Sequence, residues 1–275
     1  MLMPTLILSS SYTTESKILR KAAEALKWET FRFQGRDMPP WYETGKAQYA
    51  IYCTVPKAFH VASHLKSMLL GCSSHWLVDL PYEFTKRRLA LLALKDAMKI
   101  KERCFIKPAL GKSFDAAIRT GNSLTSEAAH LPANLFVHTS EVVEWEAEYR
   151  CFIKDGEVMT LSPYRTGGTA FSSYATPLQG PHQELESASK FANFVLKSVP
   201  SPKAFVLDVG MIKGKGWAVV EPNECWGAGI YGCSTVKVLE VLLAATVSTC
   251  LATEDDMAWD YAKHYNQACP HMEDQ

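Results

Sequence analysis

Val206-Leu-Asp208-Val-Gly210 and Val219-Val-Glu221-Pro-Asn223 are two apolar runs that carry three oxygen-bearing side chains between them. Lys213-Gly-Lys-Gly216 connects them and supplies the positive backbone angles that a tight hairpin turn requires. Ala204 to Ile212 and Trp217 to Pro222 therefore read as paired strands. Side chains alternate along a strand, so Glu221 and Asn223 share a face, and Asp208 on the neighbouring strand can join them. Carboxylates set among Val206, Leu207, Val209, Val219 and Val220 need a partner. Two carboxylates and an amide are the hard oxygen donors that Mg²⁺ prefers, and Mg²⁺ commonly completes its shell with water and substrate phosphates.

Working upstream, Phe105-Ile-Lys107-Pro108 ends an apolar strand on one ammonium, a point charge suited to phosphate oxygens, and Gly111-Lys112-Ser113 follows it. Ser140-Glu141-Val142-Val143-Glu144 then precedes Glu148-Tyr149-Arg150. Arg150 alternates with Tyr149 and Cys151, and its planar fork can grip phosphate or carboxylate with two hydrogen bonds. Strand-like runs occur at Cys104 to Lys107, Phe136 to Thr139 and Ala147 to Ile153, the last turning at Asp155-Gly156 into Glu157 to Ser162. The pattern predicts helices over Phe84 to Ile100 and Glu184 to Ser198, and a long final helix from a Ser234 cap to Leu251.

Nearer the amino terminus, Thr5 to Ser9 reads as a buried strand, not a signal peptide, since no basic region precedes Leu6 to Leu8. A helix over Glu15 to Lys27, a strand at Gln48 to Cys53 and a helix from Pro56 to Leu70, ended by Gly71, complete a small α/β unit over residues 1–80. Asp37 to Trp41, with paired prolines, is a connector. Residues 81–275 form the second domain, and the fold class is α/β with α+β character.

The chain has 275 residues, of which 47% are hydrophobic and 21% charged, a composition that supports a sizeable core. Lys plus Arg and Asp plus Glu both number 29, so no net charge draws the protein to nucleic acid or to anionic membrane. No apolar run approaches the roughly 20 residues of a bilayer span. Eight cysteines are scattered without a CxxC pair, as expected for reduced thiols in a cytoplasmic protein.

Phe-Ile-Lys, Glu-Val-Val-Glu, Glu-Tyr-Arg, Leu-Asp-Val-Gly and Glu-Pro-Asn, in that order, resemble the ATP-grasp superfamily, closest to its compact, ribosomal-protein-glutamate-ligase-like members. The resemblance runs from about residue 84 to 252, and the preceding α/β unit is similar to the domain that precedes the ATP-grasp fold in such proteins. It implies that Lys107 contacts ATP phosphates, that Glu141, Val142 and Val143 bind adenine through main-chain atoms, and that Glu144 approaches the ribose. It also places Glu148 among the nucleotide-binding positions and Arg150 near the transferred phosphate. Asp208, Glu221 and Asn223 match the magnesium ligands, and Lys86, or Arg87 in its stead, resembles a second phosphate-binding position. The implied activity is an ATP-dependent carboxylate–amine ligation through an acyl phosphate. The implied cofactors are ATP and Mg²⁺, and the partners are small-molecule or peptide substrates. The alternatives are a phosphotransferase and a nucleotide-binding module without chemistry.

Other signals compete for attention. Gly111-Lys112-Ser113 lacks the first glycine of a phosphate-binding P-loop, which would fall at Ile106. Gly227-Ala-Gly229-Ile-Tyr-Gly232 spells a dinucleotide fingerprint, but no strand is expected after the helix that follows. Trp226 before it and Arg165 in Pro163-Tyr-Arg-Thr-Gly-Gly168 are candidate contacts for the acceptor substrate. His60 and His64 have helical metal-binding spacing without the glutamate of a zinc-protease motif.

Overall fold

The computed structural model describes residues 3–11, 13–33, 48–167, 170–171 and 180–270. The Asp37 to Trp41 connector lies outside them. Strands β1 (Thr5–Leu8), β2 (Glu29–Arg32) and β3 (Tyr49–Tyr52) form a parallel sheet in the order β2-β1-β3, with helix α1 (Thr14–Ala25) crossing between the first two. All four residues of β1 are buried, as suits the middle strand of a covered parallel sheet. Thr13 caps α1 by accepting from the Ser16 N–H at 3.1 Å. Helix α2 (Val55–His64) is shorter than the sequence pattern predicts. Lys66, at φ 48°, turns the chain into β4 (Ser67–Leu69) instead of leaving Gly71 to end the helix. Gly71 serves packing: a Cβ there would lie 2.4 Å from the Tyr261 ring.

The predicted helix over Phe84 to Ile100 is replaced by α3 (Tyr82–Thr85), β5 (Leu89–Ala93) and α4 (Leu94–Ala97). Lys86 adopts the left-handed region at φ 48° and stops α3. The run Leu89-Ala-Leu-Leu-Ala93 suits helix or strand by periodicity, and tertiary pairing decides. Strands β6 (Cys104–Pro108) and β7 (Ala117–Arg119), helix α5 (Gly121–Ala128) and strand β8 (Phe136–Ser140) follow, and β5 pairs along β8 to complete an antiparallel sheet β5-β8-β6-β7.

The second sheet is built from hairpins. Strands β9 (Trp145–Lys154) and β10 (Glu157–Thr166) turn at Asp155-Gly156, at φ 50° and 77°, and β11 (Ala170–Phe171) adds an edge. Helix α6 (His182–Ser198) leads to β12 (Ala204–Ile212) and β13 (Gly216–Asn223), whose turn holds Gly214 and Gly216 at φ 72° and 87°. The order is β11-β10-β9-β12-β13, all antiparallel.

Helix α7 (Thr235–Ala244) ends earlier than expected, and Ser234 occupies its N-cap position without a side-chain hydrogen bond. Strand β14 (Thr246–Ser248) follows, which corrects the expectation that no strand comes after this helix. It pairs antiparallel with β4 in a separate two-stranded sheet, so no parallel β-α-β unit forms and the dinucleotide fingerprint stays spelling only. Helices α8 (Glu254–Ala258) and α9 (Tyr261–Ala268) close the chain. Trp226, Val238, Leu239 and Leu242 share one core with Leu6, Ile7, Ala50 and Ile51, tying the amino-terminal sheet to the later part of the chain. Among the described residues no helix is long and apolar enough to cross a membrane.

Candidate active site

The register of the larger sheet lines up three charges. Asp208 faces Arg150 on one neighbouring strand and Glu221 on the other, with a bulge directly after Asp208 that sets this alignment. Arg150 donates Nε and Nη2 to Asp208 at 3.0 and 2.7 Å, and Nη1 to the Gly229 carbonyl at 3.1 Å. Lys107, reaching from β6 in the other sheet, forms an ion pair with Glu221. Asn223 Nδ2 donates to Asp208 Oδ2 at 3.0 Å and to Glu221 Oε1 at 3.1 Å, so the three residues expected to share a face do meet.

The electrostatics of the two carboxylates diverge. Burial pushes the fully enclosed Asp208 carboxyl up to about 6, against the pull of Arg150. Burial would raise Glu221 as well, but the Lys107 ammonium and the Asn223 amide hold it down at about 2. Two carboxylates and one amide converging at hydrogen-bond distance are a donor set that fits Mg²⁺, which takes few protein ligands and completes its shell with phosphate and water. That small number agrees with the absence, among the described residues, of any cluster of three or more His, Cys, Asp or Glu placed to hold a metal.

A cavity of about 760 Å³ lies between the two sheets, in contact with Lys107 and Glu221. Its apolar walls include Leu89 and Phe105 from the smaller sheet and Trp145 and Val220 from the larger one. Residues 141–144 bridge β8 to β9 and line the same cavity, so the linker between the sheets borders the space they enclose. Glu141 N–H donates to the Arg88 carbonyl at 2.9 Å, and Lys213 N–H donates to the Glu144 carbonyl at 2.9 Å. Among the described residues, the N–H and C=O groups of Val142 and Val143 meet no protein partner. A planar heterocycle has open main-chain groups to pair with there.

The remaining expected residues are placed unevenly. Glu148 lines the cavity, nearly buried, accepting from the Tyr164 hydroxyl and pairing with Arg165, which also lines it. Glu141 Oε1 pairs with Lys215 at 3.0 Å, and Glu144 pairs with Lys213 at 2.9 Å on the exposed rim. Three expectations need correction. Lys86 points away, donating to the Lys215 carbonyl at 2.8 Å, because its left-handed backbone turns it toward the β12–β13 turn. Arg87 lines the cavity instead, with its guanidinium over the Trp145 ring at 5.1 Å and bonded to the carbonyls of Val219 and Val220. Arg150 does not line the cavity; its fork is occupied by Asp208, which makes it a positioning residue for that carboxylate. Trp226 is fully buried against Phe59 and Tyr261, which leaves no surface for an acceptor.

His138 escaped the sequence reading. It faces Lys107 across the β6–β8 pairing and lines the cavity, with Nε2 at 2.6 Å from the Ser74 carbonyl and a buried Nδ1 that has no partner. Burial, reinforced by Lys107, pushes its imidazole down to about 4. A lone polar residue in Phe136-Val-His-Thr-Ser140 was the available signal. His60 and His64 stack with ring centroids 4.3 Å apart, His64 Nδ1 lying 2.9 Å from the His60 carbonyl.

Two antiparallel sheets closing on a nucleotide-sized cavity, with acidic and basic side chains at the contact, define a protein of the ATP-grasp class. Residues 84–241, more than half of the chain, match the model of an ATP-grasp domain family, the second family of its clade, and the chain belongs to that family. No curated protein matches it in sequence. Similar solved structures include D-cycloserine synthetase DcsG, at 11% identity and TM-score 0.55 over 87% of this chain and 99% of that one. The RimK-domain ATP-grasp protein of Sphaerobacter thermophilus aligns at 13% identity and TM-score 0.50 over 88% and 97%. D-alanine–D-alanine ligase of Bacillus anthracis aligns at 12% identity and TM-score 0.50 over 97% and 100%. At these identities the likeness is one of fold.

Proposed function

We propose that the protein is a Mg²⁺-dependent carboxylate–amine ligase that uses ATP and releases ADP and phosphate. The observation that supports this most directly is the meeting of Lys107, Asp208, Glu221 and Asn223 against a cavity whose far wall is a linker with open main-chain groups. Membership of an ATP-grasp family adds to it. In this reading Val142 and Val143 hold the adenine through their peptide groups, and Phe105 and Leu89 flank it. The Lys107 ammonium lies against the triphosphate and stabilises charge as the terminal phosphoryl group transfers. Asp208, Glu221 and Asn223 would hold Mg²⁺, which neutralises phosphate oxygens and orients the triphosphate. Arg150 keeps Asp208 oriented from beneath.

The substrate carboxylate attacks the γ-phosphorus, and the bond from that phosphorus to the bridging oxygen of ADP breaks, leaving an acyl phosphate. The amine nitrogen then attacks the acyl carbon, the carbon–oxygen bond to phosphate breaks, and the amine proton passes to solvent. Nothing in this sequence needs a covalent enzyme nucleophile. The test is release of ADP and free phosphate from mixtures of amino acids, dipeptides and peptide carboxyl termini, followed by the mass of any product. Amide formation that stops in Lys107→Ala and Glu221→Ala supports the reading, and unchanged turnover in both variants refutes the assigned roles. Phosphate retained on the acceptor would make the protein a phosphotransferase instead.

A further inference from the structure

A second cavity, of about 340 Å³, touches Lys107 and Asn223 as the first touches Lys107 and Glu221. Its remaining walls come from the start of α2, the loop after β6, and Glu224, Tyr261 and Tyr265. At roughly 30 Å³ per water, this volume holds about ten water-sized groups, the scale of a small metabolite rather than a second nucleotide.

Glu224 is the carboxylate among its lining residues, directly after the Asn223 amide. Among the described residues it has no ion-pair partner; the Tyr261 hydroxyl donates to Oε2 at a long 3.4 Å. Its other oxygen lies where a Cβ on Gly227 would approach to 3.2 Å, so the glycine gives the carboxylate room. A carboxylate turned into a cavity without a cation calls for a positively charged ligand group. The opposite wall has the reverse sign. Val55 and Pro56 begin α2, whose Thr54 cap position makes no side-chain hydrogen bond, and Lys112 stands beside Ser113 in the loop. Ser113 Oγ is buried and has no partner. Uncapped first-turn N–H groups with a lysine and a hydroxyl nearby suit an anion.

We propose that this second cavity binds the amine acceptor as a free amino acid, its ammonium on Glu224 and its carboxylate between Lys112 and the start of α2. The assignment deepens the ligase reading and rests on it. It places the nucleophilic nitrogen next to Asn223 and Lys107, the residues shared with the nucleotide side, and the carboxylate on the far wall.

The test is calorimetric titration of the full chain, without nucleotide, with each of the twenty proteinogenic amino acids and with propylamine and propionate. At least one amino acid should bind saturably, with propylamine and propionate at least about tenfold weaker, since each lacks one charged contact. Glu224→Gln should weaken that amino acid about tenfold or more, and the surface change Lys112→Glu should weaken it several-fold in a protein whose folding it leaves alone. No amino acid binding to the wild type, equal binding of propylamine, or unchanged binding in both variants overturns the proposal. A parallel titration with Mg²⁺ and a non-hydrolysable ATP analogue separates the two readings. Failure there defeats the ligase assignment, while the amino-acid titration still reports on the second cavity.

Discussion

Replacing Lys107 with methionine keeps the length of the side chain, removes its charge, and leaves Glu221 enclosed without its cation. The Glu221 carboxyl sits at about 2 against an ordinary 4.5, a difference worth about 3 kcal/mol at neutral pH. About a quarter of the Glu221 side chain is exposed, at 26%, so water screens part of this and a loss of about 2 kcal/mol is expected. In a chain of this size that corresponds to a fall of about 5 °C in Tm. The sign follows from the depressed value in the folded state. The contribution is complete above pH 4.5 and disappears as pH falls through about 2, so wild type and variant should converge in acid. Urea denaturation across pH reads this directly, and Lys107→Met with Glu221→Gln should recover most of the loss by removing the stranded charge. The same single variant should bind ATP at least about tenfold more weakly. A neutral-pH loss that persists undiminished in acid, or a double variant no more stable than the single one, would refute the role given to this pair.

Arg150→Ala strands the fully buried Asp208 and should cost about 3–5 kcal/mol in urea denaturation, with Arg150→Lys intermediate because an ammonium cannot reproduce the two-pronged contact. His138, held at about 4 against an ordinary 6.5, contributes stability that is complete above pH 6.5 and lost as pH falls toward 4. His138→Gln should therefore lose about 3 kcal/mol less than wild type across that window, measured by the same denaturation series. Gly210→Ala places a Cβ 2.7 Å from the Ala147 carbonyl oxygen and from the Trp145 ring, so thermal melts should show about 1–3 kcal/mol of destabilisation.

The hairpins were legible in the sequence because their signals are local. Asp155-Gly156 and Lys213-Gly-Lys-Gly216 carry the positive angles that fix register, and once register is set Asp208, Glu221 and Asn223 must meet. Lys107 and the 141–144 linker were legible through order along the chain, which the family match over residues 84–241 reinforces. What failed was decided by distant partners. Leu89–Ala93 is a strand because β8 offers an open edge, and Thr246–Ser248 is one because β4 does. The capture of the Arg150 fork by Asp208, the turning of Lys86 by a left-handed residue and the burial of Trp226 each depend on where a neighbouring strand or ring lands. Local pattern carries none of that information. Cavities bounded by separate elements, and the exposure of Glu224 to one of them, lie equally beyond it.

Diffraction from crystals grown with Mn²⁺ and a non-hydrolysable ATP analogue, recorded at the manganese edge, tests the central claim most directly. The predicted result is an anomalous peak bounded by Asp208, Glu221 and Asn223, with Lys107 against the triphosphate and the base paired to the Val142 and Val143 peptide groups. A nucleotide bound outside the cavity between the two sheets, or a cation distant from those three side chains, would contradict it.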